Sequence, residues 1–124
     1  MPYSNPGLIK NFSTGAAIEP YRIVTFSAAN TVSPATASDT LIGVAGTLPA
    51  DADARIDVTL TGIAQVEYGG NVSRGDFLTS DANGKAVAAS PGGGTNAPVL
   101  GIAMDAGVDG DVGSVLLKQG QIQG

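Results

Sequence analysis

Two segments of 22 residues in this chain of 124 residues are similar to each other. LIGVAGTLPADADARIDVTLTG covers residues 41–62, and VLGIAMDAGVDGDVGSVLLKQG covers residues 99–120. The copies align without a gap at a separation of 58 residues, with identities at Gly43/Gly101, Ala45/Ala103, Asp51/Asp109, Asp53/Asp111 and Gly62/Gly120. The upstream stretches IVT and FLT match loosely at a separation of 54. Such self-similarity predicts two similar structural halves.

Short strands are the predicted elements of both halves. Residues 21–27 (YRIVTFS) alternate and are rich in β-branched and aromatic side chains, which favours a strand. From Arg55 to Tyr68 the even positions are apolar or glycine, whereas the odd positions are polar except for Ile63. A straight strand of this length would span about 46 Å, but a compact chain of this size is only about 35 Å across. We therefore predict a bulge or corner at Gly62.

Turn signals separate the other strands. Asn83-Gly84 between FLTS and KAVA predicts a hairpin with a type I′ turn, and residues 91–98 (PGGGTNAP) predict a surface loop. TLPADADAR could by itself be helical, but its counterpart DAGVDGDVG holds three glycines that would weaken a helix, so we predict turns at both. Beyond these turns, either the register slips by one residue between the copies or the last strand is covered on both faces.

The predicted fold class is all-β, a small β-barrel or sandwich built from two similar halves. Gly (18) and Pro (7) make up about a fifth of the chain and disfavour helix. We expect the halves to close on each other, because neither is expected to bury its own apolar face. The predicted organisation is an extended N-terminal arm (1–17), a β-barrel domain (18–120) and a C-terminal tail (121–124).

The N-terminal segment MPYSNPGLIKNFSTGAA shows no helical or strand period but carries large apolar side chains. It is either a terminus whose apolar residues pack on their own domain or an extended arm that lies on a partner. The candidate arm contacts are Tyr3, Pro6, Leu8, Ile9 and Phe12.

Composition narrows the function. The chain has no His, Cys or Trp, which excludes histidine-based catalytic triads and thiolate or imidazole metal ligands. Its net charge of −5 argues against nucleic acid and anionic membranes as partners. No apolar run is long enough for a membrane span, and we predict neither catalysis nor a cofactor.

Two features could carry chemistry. The acidic turns at Asp51/Asp53 and Asp105–Asp111 could suggest calcium, but they lack a closing Glu and are better explained as solvated turns. Lys85 follows a hairpin turn, as the modified lysine of lipoyl or biotinyl carrier domains does, but Gly84-Lys85-Ala86 lacks their flanking residues. A carbohydrate-binding or adhesin module is a third alternative, disfavoured by three Tyr, three Phe and no Trp.

The second half resembles the small β-barrel decoration (cement) proteins of tailed-bacteriophage capsids. The resemblance runs over residues 18–120 and depends on short motifs: Gly75-Asp76-Phe77-Leu78, Asn83-Gly84, Leu100-Gly101-Ile102-Ala103, the turn from Asp105 to Asp111, and Val115-Leu116-Leu117. LIGVAG and IDVTLTGIAQVEY match the earlier half.

This resemblance implies a structural virion protein. It would bind the major capsid (coat) protein on the outer surface of an assembled head, as a homotrimer, and stabilise the head by bridging coat subunits. The arm would then supply the bridging contacts, and the negative charge suits the outside of a capsid.

Overall fold

The computed structural model describes residues 5–36, 39–89 and 96–123. These residues form strands and no helix, which confirms the predicted all-β class, and none of their segments is a helix that could cross a membrane. The strands are β1 (Asn5–Pro6), β2 (Ile9–Thr14), β3 (Ile23–Ala28), β4 (Thr31–Pro34), β5 (Gly43–Ala45), β6 (Arg55–Thr59), β7 (Gly62–Glu67), β8 (Phe77–Ser80), β9 (Ala86–Ala88), β10 (Asn96–Ala103) and β11 (Val112–Gln123).

The strands form a closed barrel in the order β2-β4-β3-β5-β6 and a second sheet in the order β1-β7-β11-β10-β8-β9. The parallel pair β2–β4 closes the barrel, and beside it the Ser13 N–H donates to the Asn30 carbonyl (2.9 Å). In the second sheet a parallel bridge between Tyr68 and Ala86 brings the end of β7 to β9. The second sheet is therefore curved, but only the first is a closed barrel.

Matching registers show that β2–β6 and β7–β11 are two repeats of one unit. Pairing of β3 with β5 joins Val24 to Gly43, and pairing of β8 with β10 joins Leu78 to Gly101. The separation between equivalent residues is 54 for the first three strands of the repeat, 58 for the fourth and 57 for the fifth. The second acidic turn is thus one residue shorter. Of the two alternatives for the last strand, the register slip is correct.

The predicted barrel or sandwich of two similar halves is confirmed, with one closed barrel and a second sheet. The first half nevertheless buries an interior of its own, which we did not expect. The interior of the first repeat consists of Phe12, Ile18, Val24, Val32, Ala45, Ile56 and Val58. The core cluster of the second repeat also takes in four residues of the first: Ile23, Ala35, Leu41 and Val44. A five-stranded unit can close over a handful of apolar side chains, and the outer face of the first repeat then packs on the second.

Backbone hydrogen bonds join the two repeats. Glu67 and Gly84 are the counterparts of the Ser13–Asn30 pair that closes the first barrel. Here the Glu67 N–H donates to the Tyr21 carbonyl (2.9 Å), and the Gly84 carbonyl accepts from the Ile23 N–H (2.7 Å). Residues 21–23 of the first repeat therefore lie between β7 and the β8–β9 hairpin, where they bond to both.

The long alternating segment breaks where the sequence predicts. β6 ends at Thr59 in the barrel, and β7 begins at Gly62 in the second sheet. Gly62 has φ 89°, a conformation that glycine adopts without steric cost. The predicted corner is confirmed, and it is the junction between the repeats.

The β8–β9 hairpin is confirmed, but its predicted turn type is wrong. Gly84 has φ 79°, whereas Asn83 is not among the residues with positive φ, so the turn is not type I′. The loop has three residues, 82–84, with glycine in the last position. The Asp81 carboxylate accepts hydrogen bonds from the N–H groups of Asn83 (2.8 Å) and Lys85 (3.0 Å), which stabilises this three-residue loop.

Two segments assigned to a loop and a tail are partly strand. Of the predicted loop 91–98, residues 91–95 lie outside the described residues, and Asn96–Pro98 open β10. They pair with Gln121–Gln123 at the end of β11, so the tail predicted at 121–124 continues a strand through residue 123. Each segment is extended because the other offers it hydrogen-bond partners.

The N-terminal segment joins the fold earlier than residue 18. β1 pairs with Gly62 and Ile63, and β2 pairs with β6 along five residues from Ile9 to Ser13. Any free arm therefore ends before Asn5. The segment IKNFST gives little local strand signal. It is a strand because it pairs with β6, which lies more than 40 residues away in the sequence.

Candidate interaction surfaces

The residues predicted to form arm contacts separate into different environments. Leu8 and Ile9 are exposed, at 54% and 49%. Phe12 is 3% exposed and lies inside the first barrel, where its ring meets that of Phe26 edge-on at 5.7 Å. Pro6 lies in β1, and Tyr3 is outside the described residues. Only Leu8 and Ile9 are thus seen to offer apolar side chains to a partner.

A groove beside Ile9 extends this first apolar surface. Its walls are the outer face of β2 and β6 and the loop at 46–50. Leu48, on that loop, is 75% exposed, which is more than any other large apolar residue described. Asn11, Arg55 and Asp57 give the groove a polar floor, with Asn11 bonded to both charged side chains.

A second apolar surface crosses four strands of the second repeat. Register places Phe77 beside Ile102, Ile102 beside Leu116, and Leu116 beside Ile63. We call these four residues the apolar row. Phe77 and Leu116 are 47% and 39% exposed, and the two isoleucines are half-buried. Sequence reasoning missed the row because its members come from strands whose order is set only by the tertiary fold.

Lys85 is held by two carboxylates. Its Nζ lies 3.2 Å from Glu67 Oε2 and 3.4 Å from Asp109 Oδ1. Hydrogen bonds to Glu67 and then to Asp109 raise the pKa of Lys85. Glu67 also reaches Arg22 Nη2 at 3.4 Å, which links the charge cluster to the first repeat. A lysine in this setting is explained by an ion-pair network, without a role as a carrier of a prosthetic group.

The second acidic turn uses its carboxylates to accept hydrogen bonds from nearby backbone N–H groups. Asp111 Oδ2 accepts from the Val108 N–H (3.0 Å), and Asp105 Oδ2 accepts from the Ser114 N–H (3.0 Å). Asp51 and Asp53 of the first repeat are exposed. No group of three or more possible metal-ligating side chains occurs among residues 5–36, 39–89 and 96–123.

Tyr68 is a fully buried polar residue beside the second acidic turn. Its hydroxyl donates to the Asp105 carbonyl (2.7 Å). Burial raises the pKa of Tyr68 to about 12, and the nearby carboxylates of Asp105, Asp111 and Asp76 add to the effect. The bond anchors the turn to the core and leaves the hydroxyl no access to a substrate.

The described residues form a closed barrel and a second sheet that present apolar side chains on two outer surfaces, an arrangement suited to contact with another protein. Comparison with known proteins gives the family. The model of the phage cement protein family matches residues 5–119, and the chain belongs to that family. It is therefore a structural protein associated with a phage capsid, and a component of the virion. No curated protein matches it.

A solved structure shares the fold. The N base of head fiber gp8.5 in bacteriophage phi29 superposes with a TM-score of 0.72 at 17% sequence identity, covering 94% of this chain and 98% of that one. At this identity the likeness shows the fold alone, but it extends over both repeats.

Proposed function

We propose that this protein binds the outer surface of an assembled phage capsid and stabilises it by bridging coat subunits, as a homotrimer. The family match over residues 5–119 is the observation that carries the proposal. The structural neighbour from phi29, named as the base of a head fiber, supports a position on the head. Several copies of a weak contact on a repeating lattice gain affinity from multivalency.

The coat-binding surface in this proposal is the N-terminal end of the first barrel. Leu8, Ile9 and Leu48 are the exposed apolar residues there, and the chain before Leu8 would extend the contact through Tyr3 and Pro6. Apolar side chains that water surrounds in the free protein become buried against coat protein, at about 25 cal/mol for each Å² removed from water. The net charge of −5 favours the outer surface over the surface that faces DNA.

Co-sedimentation with empty heads tests this proposal. We expect the full chain to pellet with heads and to remain in the supernatant alone. Deletion of residues 2–6 removes β1 and leaves the barrel strand β2 in place, so binding should weaken while the thermal transition changes little. Bridging predicts that decorated heads withstand a higher temperature than bare heads.

Replacing Leu8 and Leu48 together by Ser should weaken binding at least tenfold. Val108→Ser is the matched control, because Val108 is also 54% exposed but lies in the turn of the second repeat. A full chain that does not co-sediment with heads would contradict the proposal. Equal binding by the Leu8/Leu48 variant would exclude this surface.

A further inference from the structure

Two residues of the apolar row, Phe77 and Ile102, occupy positions at which the first repeat is buried against the second. Phe77 corresponds to Ile23 of the first repeat, and Ile102 corresponds to Val44. Ile23 and Val44 are 0% and 1% exposed, because they pack in the core cluster of the second repeat. Phe77 is 47% exposed. These two positions are therefore buried in the first repeat and more exposed in the second, whereas the other two row residues, Ile63 and Leu116, correspond to Ile9 and Thr59, which the first repeat does not bury.

One part of the surface that receives the first repeat, the β8–β9 hairpin, has an open counterpart, whereas the corresponding interior of the first repeat is closed. The β8–β9 hairpin of the second repeat accepts hydrogen bonds from the first, at the Asn83 carbonyl from Arg22 Nη1 (3.1 Å) and at the Gly84 carbonyl from Ile23. The corresponding residues of the first repeat are Ala29 and Asn30. Residues 27–30, in the β3–β4 hairpin of the first repeat, are all exposed.

We propose that a second copy of this chain covers the apolar row, with the row of one copy packed against the hairpin at residues 27–30 of the next. The contact would repeat between chains the arrangement that joins the repeats within one chain. It is heterologous, so copies form a ring where the rotation between them closes and an open filament where it does not, and the homotrimer requires the ring. This inference rests on the homotrimer of the proposed function and names its surfaces.

The contact between copies would be weaker than the one within the chain. In the first barrel the Ser13 N–H already bonds to the Asn30 carbonyl, so a neighbouring segment cannot insert there as residues 21–23 do in the second repeat. The apolar side chains of the row would supply the attraction. A surface of this kind suits an oligomer assembled from chains that fold independently.

Sedimentation equilibrium of single variants tests the proposal first. We expect the full chain to have about three times its chain mass of 12.2 kDa. Phe77→Glu on the row and Ala29→Glu on the hairpin should each weaken association at least tenfold. Val108→Glu adds the same charge at an exposed site outside both surfaces and should leave the mass unchanged. Circular dichroism and the thermal transition verify that each variant is folded.

Mixing the two defective variants tests the head-to-tail geometry. The Ala29→Glu chain keeps an intact row, and the Phe77→Glu chain keeps an intact hairpin. Their mixture should therefore form one productive interface and a 1:1 dimer, although neither associates alone. If the mixture stays monomeric, the two surfaces do not meet and the proposal is overturned. A monomeric full chain, or an unchanged mass for Phe77→Glu, would also overturn it.

Binding to heads is measured separately from self-association. Folded Phe77→Glu should still bind heads, but more weakly than the full chain, because a single chain loses the gain from multivalency. If the full chain is trimeric through these surfaces but does not bind heads, the proposed function fails and this inference stands. If it binds heads and Phe77→Glu remains trimeric, the inference fails and the function stands.

Discussion

The ring of Tyr68 fills the space that a side chain at Gly113 would need. A Cβ atom built on Gly113 would overlap the Tyr68 hydroxyl, and one on Gly107 would come within 2.8 Å of the ring. In the first repeat, Thr14 is equivalent to Tyr68 and Ile56 is equivalent to Gly113, so the larger side chain stands at the other of the two positions. The two interiors thus divide a similar volume differently, as close packing requires.

Gly113→Ala should therefore destabilise the protein by about 1–3 kcal/mol, the usual cost of overpacking a core. Gly120→Ala is the control, since its Cβ would meet no atom within 4 Å. Chemical denaturation gives both free energies of unfolding. In the Tyr68→Leu background the cost of Gly113→Ala should be smaller, because the hydroxyl and the ring carbons that a Cβ would overlap are both gone. Equal costs in both backgrounds would show that the Tyr68 side chain is not the obstacle.

The buried hydroxyl of Tyr68 makes stability fall at high pH. Its pKa is raised from 10.0 to about 12, so the unfolded chain loses this proton at a lower pH than the folded one. The folded state then holds more protons than the unfolded state between about pH 10 and 12, and stability must decrease across that interval. Denaturation at pH 9, 10 and 11 measures the slope. Tyr68→Phe should flatten it, although Lys85, with a raised pKa, adds a loss in the same alkaline direction.

Substitutions at Gly110 measure the free-energy cost of a left-handed backbone conformation without a steric clash of the side chain. It has φ 91°, and a Cβ there would meet nothing within 4 Å. Gly110→Ala should cost about 1 kcal/mol through the left-handed backbone alone. Its counterpart Asp53 has φ 59°, so Gly110→Asp should cost less than Gly110→Ala, since Asp tolerates that region better. Thermal unfolding of the two variants ranks them, and the reverse order would refute this explanation.

Glu67 is expected to strengthen the contact between repeats only slightly. Its carboxylate pairs with Arg22 of the first repeat and with Lys85 of the second. Pairs that remain in contact with solvent contribute little and are screened by salt. Glu67→Gln should lower the Tm by a few degrees at low ionic strength, and the difference should shrink in 1 M salt. A large loss that is insensitive to salt would mean that the carboxylate is structurally essential.

Glycine at the same place in both copies was an informative sequence signal. A Cβ on Gly43 would overlap the Thr59 carbonyl, and one on Gly101 would overlap the Leu116 carbonyl. The match therefore records a close approach of two strands. Positive φ angles also occur at three pairs of equivalent positions in the two repeats: Tyr21/Gly75, Asn30/Gly84 and Asp53/Gly110. Only the second repeat has glycine at these positions. Residue identity alone could not reveal those equivalences.

Alternation, turn residues and the duplicated segment were enough to predict an all-β chain of two similar halves, because those signals depend on neighbours in the sequence. The tertiary structure decided that the first half closes into a barrel, that Ile9–Thr14 is a strand of that barrel, and that Phe77 stays exposed where Ile23 is buried. These outcomes depend on which distant strands pair and which faces meet. Identical local patterns can be buried in one repeat and open in the other, since burial is set by what packs against them.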